Sequence, residues 1–197
     1  MTSRKKIAVI LSAAIVIAVL PAWNALRVGV SDTAVKNAER AVQSGDADAA
    51  VDFMNDAVDW DPNNAAKRSL LGNALLLVNQ PYDAAFELKK AMKNPNDPNI
   101  AFNLGVAYSK IGNRETADRF FDEAERRYRS ALAKNPKDAM VMYAMGRFYL
   151  SLSKRREALD CFIKAAMLAP ENPAPMLALE RLREIGLTPG EMEGGVL

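Results

Sequence analysis

The sequence contains no histidine and a single cysteine, Cys161. These two residue types do most of the proton transfer and metal ligation near neutral pH, so a metal site would have to be built from carboxylates alone. A lone cysteine cannot close an internal disulfide, so cysteine usage neither supports nor excludes an oxidising compartment. Cys161 falls inside an amphipathic helical pattern and reads as a small core residue. A charge excess is also lacking, with 26 basic against 24 acidic side chains, and bulk electrostatics therefore select no class of partner. There is no Gly-rich loop with a lysine after a strand, which excludes the common nucleotide-phosphate motif. The short basic cluster Lys154-Arg155-Arg156 lacks interleaved aromatics to stack bases, so no nucleic-acid partner is expected. Glu123 and Glu125 lie on a polar helical face, where shifted pKa values are not expected. No catalytic residue, cofactor or metal is indicated, and the expectation is a protein that is not an enzyme.

What is present begins at the N-terminus. After Arg4-Lys5-Lys6 the chain runs from Ile7 to Leu26 without a charge, 20 residues that as a helix would measure roughly 30 Å, one bilayer core. Pro21 lies near the far end, and Trp23 sits at the depth of an interfacial aromatic. The competing reading is a cleaved secretory signal. It wants small residues one and three positions before the cut, yet cutting after Ala25 puts Trp23 in the outer position and cutting after Ala22 puts Leu20 there. A retained transmembrane anchor is therefore expected. The basic cluster favours the N-terminus inside, against Arg27, Lys36 and Arg40 on the other flank. This predicts a single-pass membrane protein whose remaining chain faces the periplasm, if the membrane is a bacterial inner membrane, or the exterior in another cell type.

From Ser31 onward the chain is almost wholly helix-forming, with breakers at a recurring spacing. Four segments end alike, in Ala57-Val-Asp-Trp-Asp-Pro62, Ala91-Met-Lys-Asn-Pro95, Ala131-Leu-Ala-Lys-Asn-Pro136 and Ala165-Ala-Met-Leu-Ala-Pro170. Three open with Leu71-Gly72-x-x-Leu75, Leu104-Gly105-x-x-Tyr108 and Met145-Gly146-x-x-Tyr149. Each opening is followed on a second helix by apolar residues in register: Ala84, Leu88 and Ala91; Ala117, Phe121 and Ala124; Ala158, Phe162 and Ala165. In these residues the sequence resembles the tetratricopeptide repeat family over about residues 31–172. The small glycine would let the second helix pack close while a large residue fills the space beside it.

The resemblance implies an all-α fold, in which an N-terminal transmembrane helix leads into a right-handed α-solenoid of about four helix-turn-helix repeats with a C-terminal capping helix. The expected organisation is a basic flank 1–6, an anchor 7–26, a solenoid 27–172 with repeats near 31–64, 65–97, 98–138 and 139–172, a cap 173–185 and a flexible tail 186–197. The first repeat is the least regular, with Asn37 and Ala41 where leucine and an aromatic are usual, and it reads as loosened by its place beside the anchor. Only a few residues separate it from the apolar run, too short for a long flexible reach. In the cap, Glu180 and Arg183 should face solvent. The third repeat is seven residues longer than the period, close to two helical turns, which preserves the buried face and pushes the helix end outward as a basic ridge bearing Arg126, Arg127 and Arg129.

Family resemblance also places partner contacts in the groove of the first helices, at Ser69, Asn73, Leu76 and Leu77, then Phe102, Asn103, Val106 and Lys110, then Tyr143, Arg147 and Leu150. Of these, Leu76, Leu77 and Val106 also read as inter-repeat core. Asn73 and Asn103 occupy the asparagine positions of a carboxylate clamp, but Ser69, Met140 and Ala144 stand where its cations belong. Residues 31–62 carry a net charge of −6 and residues 110–164 a net of +5, an asymmetry that allows head-to-tail self-association. The function implied is a membrane-anchored scaffold, assembly factor or accessory subunit that binds other proteins of a membrane complex. The alternative is a self-associating structural protein that coats a membrane or organelle.

Overall fold

The computed structural model describes residues 3–93 and 97–184, with side chains from Pro21 onward. All regular structure among them is helical. The chain forms two compact units, divided between Lys93 and Asn94. The first contains α1 (Ser3–Ser44), α2 (Ala47–Trp60), α3 (Ala65–Leu77) and α4 (Pro81–Ala91). The second contains α5 (Pro98–Ile111), α6 (Arg114–Lys134), α7 (Ala139–Ser151), α8 (Arg155–Leu168) and α9 (Pro173–Glu184). Helices pair with their sequence neighbours, α1 with α2, α3 with α4, α5 with α6, and α7 with α8, and α9 covers α8.

Each pair is delimited by local chemistry. Asp46, Asn64, Asp97, Asn113 and Asp138 cap α2, α3, α5, α6 and α7, accepting hydrogen bonds from first-turn backbone N–H groups that would otherwise lack partners. The turn inside every pair contains one residue in the left-handed region, at Gly45, Asn79, Gly112 and Ser153. Their spacings of 34, 33 and 41 residues make the repeat visible in the backbone itself, including the seven-residue lengthening.

Glycine on the first helix sets how closely a pair can approach. A Cβ at Gly72 would lie 2.5 Å from Leu88 Cγ, one at Gly146 would lie 2.6 Å from the Phe162 ring, and one at Gly105 would overlap the Phe121 ring. The expected register holds, with Ala84, Leu88, Ala91, Ala117, Ala124, Ala158, Phe162 and Ala165 all buried. Cys161 is buried beside them, and Glu180 and Arg183 of α9 face solvent, both as the sequence suggests.

Two features differ from expectation. The first pair is not loosened: Ala34, Ala38 and Ala41 on α1 and Ala50, Met54 and Ala57 on α2 are buried, with Ala38 in the place of the glycine and Met54 in that of the large residue. No linker precedes this pair either, because α1 continues as one 42-residue helix from the apolar run through Pro21 into the first repeat. Residues 7–20 of the expected anchor lie outside the described side chains, and among the described residues no helix is long and apolar enough to cross a membrane. The expected tail 186–197 also lies outside the described residues.

Two stability outcomes follow from this packing. Gly146→Ala should destabilise by about 1–3 kcal/mol, because fully buried Phe162 and the Cys161 Cβ both block the added methyl. Gly105→Ala should cost less, since Phe121 is only half-buried and can swing; equal losses in chemical denaturation would contradict this account. Ser153→Gly relieves an exposed left-handed residue and should raise the melting midpoint by about 2–4 °C, as read by calorimetry.

Candidate functional site

The second unit holds the densest aromatic packing. Phe148 of α7 is fully buried and meets Phe102 edge-on at 5.7 Å, Tyr128 at 5.6 Å and Phe121 at 6.4 Å. Phe102, an expected groove contact, is therefore half-buried and committed to this core. Tyr143 is committed in the same way, its ring 5.5 Å from that of Phe162.

Of the remaining expected groove residues, Arg147 and Lys110 are exposed, and Asn103 is half-buried on α5. Asn73 is half-buried on α3 and belongs to the first unit. Ser69 is buried rather than presented. Leu77 departs from its core reading: as the last residue of α3 it lies beyond the packed face and is 61% exposed, while Leu76 and Val106 are half-buried.

The lengthened α6 overturns two expectations. Its 21 residues exceed α8 by seven, but the added turns are packed rather than pushed outward. Tyr128 is fully buried, its hydroxyl donates to Asn99 Oδ1 at 2.7 Å, and Leu132 packs on the same core. Burial pushes the Tyr128 phenol well above its ordinary range. The ridge is also not a bare cationic strip. Arg126 and Arg127 both donate to Glu123, at 2.6 and 2.7 Å, and Arg129 donates to Glu125 at 2.7 Å. Glu123 and Glu125 are accordingly held below the usual carboxylate range, Glu123 by Arg127 and Arg126, and Glu125 chiefly by Arg129. Spacing of three and four residues on one helix brings these charges together despite their exposure.

Glu125 also joins α6 to α7, because the Tyr149 hydroxyl donates to its Oε1 at 3.0 Å and Lys154 lies 3.9 Å from its other oxygen. Burial, reinforced by the bond to Glu125, pushes Tyr149 up to about 12. Beside this junction the end of α6 walls a cleft of about 460 Å³ against α7 and α8. Leu132, Met142, Met145, Tyr149 and Cys161 supply its apolar lining, and Arg129, Arg156, Glu157, Asp160 and Lys164 supply its charged groups. Burial pushes the Cys161 thiol up to about 11, so it is protonated at neutral pH and acts as an apolar surface. The arrangement suits holding an apolar side chain. Among the described residues no group of acidic or cysteine side chains could hold a metal ion.

The cleft was not foreseen from the sequence. Its signal was the continuation of apolar spacing from Tyr128 to Leu132 beyond the normal helix end, which marks a wall only once α7 and α8 are placed beside it.

Because Glu123 and Glu125 have lowered folded-state pKa values, their stabilisation is complete above the ordinary value of 4.5 and is lost as pH falls through the folded values. Glu125→Gln should therefore flatten the acid limb of stability against pH, measured by denaturant unfolding; an unchanged limb would show that the junction is energetically silent.

The family model of the tetratricopeptide repeat matches residues 38–64, 98–130 and 141–172. Among curated proteins the chain is similar to the anaphase-promoting complex subunit CDC16 of Saccharomyces cerevisiae, with 29% identity over 140 residues, 67% of this chain. It is also similar to tetratricopeptide repeat protein 6 of Homo sapiens, with 26% identity over 116 residues, 59% of this chain. The chain spans only 16% and 21% of the lengths of these two relatives. A solved structure of pilF from Pseudomonas aeruginosa is similar in fold, with a TM-score of 0.51 and 21% identity, covering 79% of this chain and 68% of that one. Over the matched segments the chain is similar to the tetratricopeptide repeat, and two of them, 98–130 and 141–172, carry the glycine-to-large-residue fit described above.

Proposed function

We propose that the protein is a membrane-anchored scaffold whose repeats hold another protein of a membrane complex, as an assembly factor or accessory subunit and not as an enzyme. The observation that carries this reading is the continuity of α1, which joins a charge-free run preceded by Arg4-Lys5-Lys6 to the first repeat without a linker. A rigid junction of this kind confines the repeats to a layer at the bilayer, and confinement raises the effective concentration of a partner in the same membrane. The basic flank favours the N-terminus inside and the repeats in the periplasm of a bacterial inner membrane. Partner contact falls on exposed Arg147 and on the cleft bounded by Arg129 and Arg156.

In bacterial membranes the full chain should resist alkaline carbonate extraction, and its repeats should be cleaved by protease added to spheroplasts. Release by carbonate would sink the anchor; protection from protease would reverse the orientation. A partner co-purified in mild detergent should be lost from an Arg147→Glu, Arg156→Glu double variant.

The second reading, a self-associating coat, is favoured by the charge asymmetry between residues 31–62 and 110–164. Part of the acidic excess is offset within the first unit, because Asp32 and Asp61 pair with Lys67, which lies outside residues 31–62. Light scattering of the detergent-solubilised chain distinguishes the readings: a monomer with a stoichiometric heterologous partner supports the scaffold, and salt-sensitive multimers of this chain alone support the coat.

A further inference from the structure

The chain has only two tryptophans, far apart in sequence, and the first unit brings both to the end of the apolar run. Trp23 lies on α1 inside that run and is 54% exposed, and Leu26, its last residue, is 57% exposed. Trp60 is the last residue of α2 and is 38% exposed. Arg27 Nε donates to the Trp60 carbonyl at 2.8 Å, which fixes the end of α2 at the level of Arg27. Trp23 and Arg27, four residues apart, share one face of α1.

The two helices cannot turn freely about this contact. About one turn farther along α1, the buried Ser31 hydroxyl donates to the Ala57 carbonyl at 2.6 Å. The Lys67 ammonium of α3 then bonds Ser31 Oγ at 2.8 Å, Asp32 at 2.8 Å and Asp61 at 3.2 Å. Burial alone would depress the Lys67 pKa, but the bonds with Asp32 and Asp61 outweigh it and hold the pKa above its ordinary value, so the ammonium stays charged. The face of α1 that meets α2 is thus set by polar contacts on three helices.

The heights follow from helix geometry. At roughly 1.5 Å of rise per residue, Arg27 and the Trp60 backbone stand about 1.5 Å beyond Leu26, and Ser31 about 7.5 Å beyond it. The polar interface on each side of a bilayer core is about 5–8 Å thick. With the run from Ile7 to Leu26 in the core, Trp60 falls inside the interface, the layer in which tryptophan is enriched because its ring is apolar and its N–H is polar. Arg27, Lys67 and Arg68 are met by Asp32, Asp56, Asp59 and Asp61, so no cationic excess draws this edge to anionic headgroups.

We propose that Trp23, Leu26 and Trp60 form a foot on which the first unit rests in the bilayer interface, so that the repeat domain touches lipid as well as being tethered to it. The occupant is the lipid interface itself, recognised by aromatic and apolar insertion rather than by charge. This rests on the anchored reading above, and the test separates the two.

The full chain would be reconstituted into phosphatidylcholine vesicles carrying acyl chains brominated near the headgroup end or near the terminal methyl. Trp23→Phe leaves Trp60 as the only emitter, and Trp60→Phe leaves Trp23. Both emitters are expected to lose emission to the shallow bromines more than to the deep ones and to emit at shorter wavelength than in the denatured chain. Added salt or anionic lipid should not change the Trp60 response. Trp60 reached only by aqueous acrylamide, with Trp23 still quenched by lipid, would overturn the foot and leave the anchor standing. Loss of lipid quenching at both positions would overturn both. Quenching of Trp60 that appears only with anionic lipid and vanishes in salt would also overturn the proposal, because it would mark a charge-driven contact.

Discussion

Close approach of paired helices is the constraint on which the rest of this structure depends. A helix can place its axis against a neighbour only as closely as the side chains between them allow. In three pairs a glycine removes the obstacle and a large residue sixteen positions later fills the gap, Gly72 with Leu88, Gly105 with Phe121 and Gly146 with Phe162. Alanines on both sides keep the approach close at the next turns, and α1 with α2 has Ala38 in place of the glycine and Met54 sixteen positions later. Without that proximity, neither the polar ties of the first unit nor the aromatic cluster of the second could form.

The two units fill the remaining space with different chemistry. The first ties its helices together with Lys67, a buried ammonium shared by Ser31, Asp32 and Asp61. Such a group is tolerated inside a fold only because each of its donors has a partner. The second unit relies on rings, with Phe148 at the centre and Tyr128 reaching Asn99 from the added turns of α6. The polar ties hold α1 in one orientation where it leaves the apolar run. The ring cluster supports the α6 wall and so keeps the cleft beside it open.

Much of the fold was legible because it depends on spacing along the chain. The openings at Gly72, Gly105 and Gly146, the alanines of the second helices and the seven-residue lengthening each follow from a period near 3.6 within helices and near 34 between them. Readings that depended on direction were less secure. Seven extra residues keep the buried face of α6, but whether the added turns project or pack depends on what lies beside them, and α7 lies there with Phe148. Phe102 and Tyr143 took the positions of groove residues and were drawn into the core because neighbouring rings were within reach.

By itself the sequence determined the helical pairs, their caps and turns, the close-packed register, and the charge-free run joined to the first repeat. All of these are local patterns, set by residues within a few turns of one another. Tertiary structure alone decided that Glu125 meets Tyr149, that Trp60 ends beside Arg27, and that Leu132 and Arg129 face Met142, Met145 and Lys164 across a cleft. Those meetings join residues on different helices, and the crossing geometry of packed helices, which no periodicity encodes, brings them together.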